Sequence, residues 1–367
     1  MTQEQAHPVL FTGNGWEYFK IYFVNIMLSI LTLGIYSAWA KVRNKRYFYG
    51  HTSLAGSSFD YHARPMQILK GRAIVVTIII LYELSVTFVP FITPVFTLLF
   101  FFGIPFLIAR ATKFNMQYSS YRQIRFNFIG EYLYVFFHFI VLPITSLFTL
   151  GLAYPYAIYK QRQYIANNTK YGNALFFFKG KSGEFFLTYF VAFFSLVGLY
   201  MLILASFNLI DAGTWEAFQK GFTEGIKKSL ENNSTTLYAD EKTPTKQVYM
   251  ILAGVYGFLI FNFLLFSAYV NARLTNYLFN NLDLSNISFS SNISFFHLLW
   301  IYLSNLLLII LTVGLFIPWA KVRAVSYKLS CITLFSNDLS HFITEEEEKI
   351  SVLGEEFSDF LDIDIGF

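Results

Sequence analysis

The chain has 367 residues, of which 55% are hydrophobic, 20% are aromatic and only 14% are charged. A soluble domain carries roughly 25% charged residues and needs a polar exterior, so this composition excludes an ordinary soluble protein. The net charge is +4 and the single cysteine is Cys331, which excludes a disulfide framework and a cysteine-rich metal site.

Several apolar runs are long enough to cross a membrane, because a bilayer core of about 30 Å needs about 20 helical residues. The first run covers residues 19–40 and is predicted to act as an uncleaved membrane signal. Residues 73–109 are apolar almost throughout, and Pro90 and Pro94 divide them into a hairpin of two predicted spans. The remaining runs cover residues 131–157, 185–210, 247–270 and 295–320.

Two segments are polar. Residues 211–246 are predicted to form an aqueous loop, with a short amphipathic helix at 214–231. The tail from Ile343 is acidic with interleaved hydrophobic residues. It is expected to be solvated and partly disordered, and a docking segment for a basic patch is the alternative.

One phrase is written three times. LTLGIYSAWAKVR at 31–43 returns as LTVGLFIPWAKVR at 311–323 and, more loosely, as FTLGLAYPYAIYK at 148–160. Its glycine is predicted to end a helix in a left-handed cap, and its proline, where present, to begin the next helix. Each copy is therefore predicted to be a span, a break and an interfacial helix along the membrane surface. The glycines are Gly34, Gly151 and Gly314, and the prolines are Pro155 and Pro318.

The second half of the phrase occurs five times around a basic residue. Aromatic residues stand four positions before and four after each basic residue, which places all three on one helix face. Tryptophan, tyrosine and cations at such spacing suit the lipid headgroup level. The predicted lipid-interface residues are Trp39, Arg43, Tyr47, Arg110, Tyr156, Lys160, Arg273, Trp319 and Arg323. Sixteen positions after the first four basic residues stand Phe59, Phe126, Phe176 and Phe289, whereas the fifth copy has Leu339.

These patterns predict an all-α polytopic membrane protein with about seven transmembrane helices, internal repeats, interfacial amphipathic helices and short β-hairpin-like loops. The predicted divisions are a first membrane repeat at 1–126, a second at 127–289, a final half repeat at 290–340 and the acidic tail at 341–367.

The distribution of basic residues leaves two topologies open. If residues 19–40 cross fully, the N-terminus lies outside. If residues 131–157 also cross, the chain has seven spans and an inverted second repeat, which is the prediction. If residues 131–157 and 295–320 instead dip into the membrane and return, every basic helix lies on the inner side.

The stretch GWEYFKIYFVNIMLSILTLGIYSAWAKVRNKRYFYGHTSLAG resembles the signature of the YjgN-like bacterial membrane proteins, a family of uncharacterised function. RATKFNMQYSSYRQIRFNF and WAKVRAVSYKLS are similar to that family too. The resemblance extends to about residue 340. It implies a multi-pass protein of the bacterial inner membrane, and it implies no catalytic or binding residue.

Polar residues within the apolar runs are candidates for function, because a carboxylate at a helix centre costs about 2.5–3.5 kcal/mol. Glu83 is the foremost candidate, as an ion relay, a substrate contact or a proton carrier, or else as a protonated structural residue. Interhelical hydrogen bonds are expected from Asn25, Asn262 and Asn305, with a polar cavity as the alternative, and His138 is expected to be a packed residue or a proton relay.

Three classes of function stay open at this point. A non-catalytic membrane protein that interacts with lipid or scaffolds partners is favoured, a transporter or channel that uses Glu83 is the alternative, and nothing in the sequence supports an enzyme positively. Membrane lipids are the expected partners, together with a homo-oligomer or membrane partner proteins. No nucleic acid, cofactor or metal is expected.

Overall fold

The computed structural model describes residues 5–207, 220, 223–224 and 246–336. The predicted acidic tail, the amphipathic helix at 214–231 and most of the 211–246 loop therefore lie outside the described residues. The chain divides into two compact units, of which one comprises residues 187–271 and the other comprises the remainder.

Short antiparallel strands join into a closed barrel of ten strands. The prediction of an all-α fold is therefore wrong: the predicted hairpin-like loops are strands that pair with one another around a complete ring. The strands are β1 (Gln5–Phe11), β2 (Thr52–Leu54), β3 (Ser57–Tyr61), β4 (Ser119–Tyr121), β5 (Ile124–Phe128), β6 (Thr169–Tyr171), β7 (Ala174–Phe178), β8 (Leu282–Leu284), β9 (Ile287–Ser291) and β10 (Ile332–Ser336).

Pairs of helices connect the barrel hairpins. Each pair begins directly after one strand and ends directly before the neighbouring strand. The helices are α1 (Gly15–Leu31), α2 (Ser37–Gly50), α3 (Pro65–Phe88), α4 (Thr93–Gln117), α5 (Tyr132–Phe148), α6 (Tyr154–Asn167), α7 (Ser182–Phe207), α8 (Lys246–Asn280), α9 (Phe295–Leu311) and α10 (Ile317–Ser330).

All helix pairs join the barrel at the same end. Two-residue turns, such as Ala55–Gly56 between β2 and β3, connect the strands at the other end. Ala55 and Gly56 both have positive φ angles, as the tight hairpin turns that fit twisted strands require. The barrel therefore has a helix end and a turn end.

One ring of side chains fills the middle of the barrel. Each member is paired with its neighbour on the adjacent hairpin, and all members belong to or pack against one hydrophobic cluster. The pairs are Val9 with Leu54, Phe59 with Tyr121, Phe126 with Tyr171, Phe176 with Leu284, and Phe289 with Leu334.

This ring explains the phenylalanine spacing and its exception. The four phenylalanines predicted at one spacing all lie in the ring, and Val9 of β1 takes the fifth place. The fifth hairpin is completed by the N-terminal strand, because β10 pairs with β1 along Gln5–Pro8. Leu339, which broke the spacing, lies outside the described residues.

Four helices in the described part of the chain are long and apolar enough to span a membrane, namely α3, α4, α7 and α8. The prediction of seven spans is wrong for this reason. The first apolar run contains α1, which has only 17 residues, and β1 before it pairs with β2 after it. Residues 12–51 therefore leave the barrel and return to it, and the predicted crossing by residues 19–40 does not occur.

The three short pairs, α1–α2, α5–α6 and α9–α10, are helical hairpins. In the first, Tyr18 packs on Tyr47 with ring centroids 5.2 Å apart, and the Asn25 amide donates to Asn44 at 3.1 Å. These contacts show that α2 returns along α1. The predicted surface helix is therefore a return helix packed against the helix before it.

A shared turn reverses each short hairpin. Its threonine hydroxyl accepts a hydrogen bond from the backbone amide four residues later, as in Tyr36 to Thr32 at 2.9 Å. The glycine two positions after the threonine has a φ of +92° at Gly34, +83° at Gly151 and +88° at Gly314. The predicted left-handed caps are thus confirmed. Pro155 and Pro318 lie in the first turn of the return helices, as the second residue and one position later than predicted.

Candidate membrane-interface site

Five cations stand at one level above the barrel. Each lies seven residues before the last residue of its helix and nine before the first residue of the next strand. At 1.5 Å per residue, each is about 10 Å from its helix end. Because all five helices end at the same end of the barrel, the cations form a ring, which we call the cation ring: Arg43, Arg110, Lys160, Arg273 and Arg323.

The aromatic residue one turn before each cation lies farther from the barrel, and in two pairs it contacts the cation. Arg110 lies 5.2 Å from the ring centroid of Phe106, and Lys160 lies 5.8 Å from that of Tyr156. Trp39 instead stacks on Tyr36 at 6.1 Å, and Trp319 stacks on Phe19 of α1 at 4.7 Å. Aromatic rings thus border the cation ring on the side away from the barrel.

The cations differ in how firmly the protein holds them. Arg323 donates to the Asn305 amide oxygen at 2.8 Å and to the Ser304 hydroxyl at 3.2 Å. Arg273 lies 3.8 Å from the exposed carboxylate of Glu184, a contact that contributes little when it is solvated. Arg43 is exposed, and its described partner is the hydroxyl of Tyr36 at 3.3 Å.

The aromatic residue one turn after the cation faces the barrel and fastens the helix pair. Four of the five positions are tyrosines, and the hydroxyl of each binds the backbone of the residue just before the outgoing helix. These contacts join Tyr47 to Asn14, Tyr164 to Glu131, Tyr277 to Lys181 and Tyr327 to Ser294. We call these four residues the clamp tyrosines; the fifth position is Phe114.

A histidine ring packs against the clamp tyrosine of every short hairpin, tilted at Tyr47 and stacked at Tyr164 and Tyr327. The ring centroids are 4.2 Å apart for His51 on Tyr47, 4.8 Å for His138 on Tyr164 and 4.3 Å for His297 on Tyr327. His138 also contacts the carbonyl of Tyr134 at 2.6 Å. The structure therefore places His138, half-buried, beside the clamp tyrosine at the barrel end of its hairpin.

The tips of the short hairpins are apolar and uncovered. The residue before each glycine is exposed to 95% at Leu33, 95% at Leu150 and 92% at Val313. A side chain added at Gly34 or Gly151 would meet no atom within 4 Å. The sequence patterns did not single out these three tip residues, although each stands between the threonine and the glycine of the recurring phrase.

The three asparagines are buried in helix contacts. Asn305 donates to the carbonyl of Ala320 at 3.1 Å and accepts from Arg323. Asn25 donates to Asn44, and its amide oxygen has no partner among the described residues. Asn262, in the unit of residues 187–271, donates to Phe258 of its own helix at 2.9 Å. No described hydrogen bond of Asn25 or Asn305 reaches Glu83.

Glu83 lies on an exposed face of α3, five residues before the helix ends at Phe88. This is about 7.5 Å from the helix end, so the carboxylate is not central in the span. A side chain this close to a helix end can extend to the polar boundary of a bilayer.

The barrel interior is closed by tyrosines as well as by packing. The Tyr121 hydroxyl donates to the carbonyl of Leu54 at 2.7 Å, and the Tyr171 hydroxyl donates to that of Tyr121 at 2.9 Å. Burial raises the pKa of both phenols. Rings fill the space between the hairpins, as in the contact of Phe126 with Phe176 at 6.4 Å.

Known proteins resemble this chain over most of its length. A family described as bacterial protein of unknown function (DUF898) matches residues 6–360. Inner membrane protein YjgN of Salmonella typhimurium strain LT2 is 27% identical over 380 residues, which cover 94% of this chain and 92% of that protein. Inner membrane protein YjgN of Escherichia coli O157:H7 is 29% identical over 41% of this chain and 38% of its own. No solved structure matches the chain.

Proposed function

Since the chain belongs to the DUF898 family of bacterial proteins of unknown function, we propose that it is a non-catalytic, multi-pass membrane protein that binds anionic lipid headgroups through its cation ring. The sequence resemblance to YjgN-like proteins is confirmed, and the names of the relatives support an inner-membrane location. The barrel then lies on the cytoplasmic side, because basic residues favour that side.

The observation that carries this proposal is the common level of the five cations. Cations held at one level, with aromatic rings on the side away from the barrel, match the order of layers at a membrane surface: phosphate first, then the boundary with the acyl chains. Near an anionic surface each cation contributes about 1 kcal/mol. Arg43 and Lys160 have neutral partners in the structure, Tyr36 and Gln163, which leaves their charge available to a phosphate.

The barrel supports a role without transport through its centre. The ten ring side chains, which include the buried Tyr121 and Tyr171, occupy the space that a pore would need, and Glu83 lies on an exposed face near one end of α3. Partner proteins or a second copy of the chain would meet the exposed surface of the barrel or of the helices.

The test compares two charge-matched double variants. Arg43→Gln with Lys160→Gln removes two cations of the ring, whereas Arg122→Gln with Lys170→Gln removes two cations from the strand region of the barrel. Native mass spectrometry of the purified protein counts bound phosphatidylglycerol and phosphatidylethanolamine.

We expect the ring variant to lose phosphatidylglycerol several-fold while the barrel variant retains it, both with unchanged thermal midpoints. Equal retention of phosphatidylglycerol by the two variants would overturn the proposal.

A further inference from the structure

We propose that the three short hairpins are single-leaflet anchors: their tips lie among the acyl chains of the barrel-side leaflet and do not reach the opposite surface. This inference concerns depth, and it rests on the proposed function only for the identification of the cation ring with the headgroup level.

The first argument is length. The return helix of each short hairpin begins six residues before its cation, at Ser37, Tyr154 and Ile317. Six residues correspond to about 9 Å. With the five-residue turn, the tip lies about 10–15 Å beyond the cation ring, which is at most half of a bilayer core of about 30 Å.

The α3–α4 pair extends much farther beyond the cation ring than the short hairpins do. Helix α4 begins at Thr93, seventeen residues before Arg110 of the same ring. This is about 25 Å, and the preceding turn at Pro90–Ile92 adds to it. Measured from the cation ring, the α3–α4 pair therefore extends through nearly the whole core, whereas each short hairpin extends through at most half of it.

The second argument is the chemistry of the tips. No Asp, Glu, Lys or Arg occurs in residues 21–40, 132–159 or 295–320. The tip residues Leu33, Leu150 and Val313 are almost completely exposed. We infer that acyl chains surround these tips. An apolar surface beside a ring of cations matches a lipid layer, in which acyl chains lie directly beside anionic headgroups.

The third argument is the return itself. The threonine and glycine of each turn provide the backbone hydrogen bonds that reverse the chain, as in Gly151 to Ser146 at 2.8 Å. The clamp tyrosine fixes both helices of the hairpin at the barrel, as Tyr164 does through Glu131. The hairpin can therefore hold its apolar tip in lipid without exposing unpaired backbone groups, which hydrocarbon does not tolerate.

The test uses single cysteines in a Cys331→Ser background, because Cys331 is the only cysteine of the chain. Leu150→Cys reports a short tip, Phe91→Cys reports the turn between α3 and α4, and Asn286→Cys reports a barrel turn. A membrane-impermeant maleimide is applied to right-side-out and to inverted membrane vesicles, and detergent-solubilised protein shows the full reactivity of each cysteine.

We expect Phe91→Cys to react in one vesicle type, Asn286→Cys in the other and Leu150→Cys in neither until detergent is added. A fluorophore on Leu150→Cys should be quenched by lipids with a nitroxide deep in the acyl chain. If Leu150→Cys reacts in the same vesicle type as Phe91→Cys, the hairpin crosses the membrane fully. If it reacts in the same vesicle type as Asn286→Cys, the tip lies in water on the barrel side. Either result overturns the inference. Leu33→Cys and Val313→Cys repeat the test at the other tips.

The depth measurement is independent of headgroup binding. If the double variant of the cation ring keeps its phosphatidylglycerol while Leu150→Cys stays protected, the proposed function fails and the single-leaflet anchor stands.

Discussion

The Tyr47 hydroxyl accepts a hydrogen bond from the Asn14 amide at 2.7 Å and donates one to the Asn14 carbonyl at 2.9 Å. Asn14 is the N-cap of α1, where its own side chain accepts from Trp16. One side chain near the end of α2 thus fixes the start of α1. Equivalent contacts at three further helix pairs show that the aromatic residue four positions after the cation has a structural role at the barrel.

Removing this clamp should destabilise the protein. Tyr47→Phe leaves the partly buried amide of Asn14 unpaired and removes one of the two hydrogen bonds to its carbonyl, which keeps the bond from the Tyr18 amide. We expect the free energy of unfolding to fall by about 1–3 kcal/mol. Tyr36→Phe is the control, because among the described residues its hydroxyl has one hydrogen-bond partner, the exposed Arg43 at 3.3 Å. Reversible unfolding in mixed micelles measures both variants, and similar losses in the two would contradict the role of the clamp.

A glycine precedes three of the four clamp contacts, at Gly13, Gly130 and Gly180, and it is required for space. A Cβ at Gly130 would lie 2.3 Å from the Phe128 ring and 2.7 Å from the Tyr164 hydroxyl. We expect Gly130→Ala to cost about 1–3 kcal/mol through overpacking. Gly183→Ala, in the first turn of α7, meets no atom within 4 Å and should be neutral or slightly stabilising. Thermal midpoints compare the two, and an unchanged midpoint for Gly130→Ala would show that the rings can move aside.

Asn25 and Asn305 each stand seven residues before the threonine of a turn, Thr32 and Thr312, but they should differ in their importance for stability. Asn305 makes hydrogen bonds through both amide atoms, whereas the amide oxygen of Asn25 has no partner among the described residues. Asn305→Leu should therefore cost about 1–3 kcal/mol, since it removes the hydrogen bond from Arg323 and the one to the Ala320 carbonyl, and Asn25→Leu should cost less. A double-mutant cycle with Arg323→Leu isolates the coupling; a coupling near zero would remove the Asn305–Arg323 contact as the cause.

The buried phenols predict a loss of stability in alkali. Burial raises the pKa of Tyr121 and Tyr171 above the ordinary value of 10.0, so the unfolded chain releases these protons at a lower pH than the folded chain. The contribution of each phenol to stability is complete below pH 10 and is lost as the pH rises towards the folded pKa.

The measurement is the free energy of unfolding between pH 9 and pH 11 for wild type and for Tyr121→Phe with Tyr171→Phe. The double variant should be less stable at pH 9, because two buried hydrogen bonds are lost, but its stability should fall less steeply with pH. Parallel slopes would mean that other groups cause the alkaline loss.

Local patterns in the sequence predicted local structure correctly. The threefold phrase led to left-handed glycines and to prolines in the first turn of the following helix, because both features depend on a few neighbouring backbone groups. Pro90 and Pro94 led to a hairpin of two long helices in the same way. The spacing of aromatic and basic residues placed Trp39, Arg43 and Tyr47 on one helix. It did not show that the Tyr47 hydroxyl binds the backbone of Asn14 at the start of α1.

The barrel could not be predicted from the same kind of signal. Four of the ten strands have three residues, too few for an alternating pattern to be distinguished from a loop. The strands also pair across helix pairs, and the closing contact joins His7 to Leu334 at the opposite ends of the chain. No local preference specifies such a partner; the shared hydrophobic interior does.

By itself, the sequence determined a membrane protein of the right family, its helix-ending glycines and the recurrence of an aromatic–cation–aromatic unit, because composition and short-range periodicity record the solvent and the helix face. Only the tertiary structure decided that three apolar runs turn back, that five cations share one level and that the intervening loops close into a barrel. Those features depend on where the chain returns, and the return is fixed by strand pairing between residues far apart in the sequence.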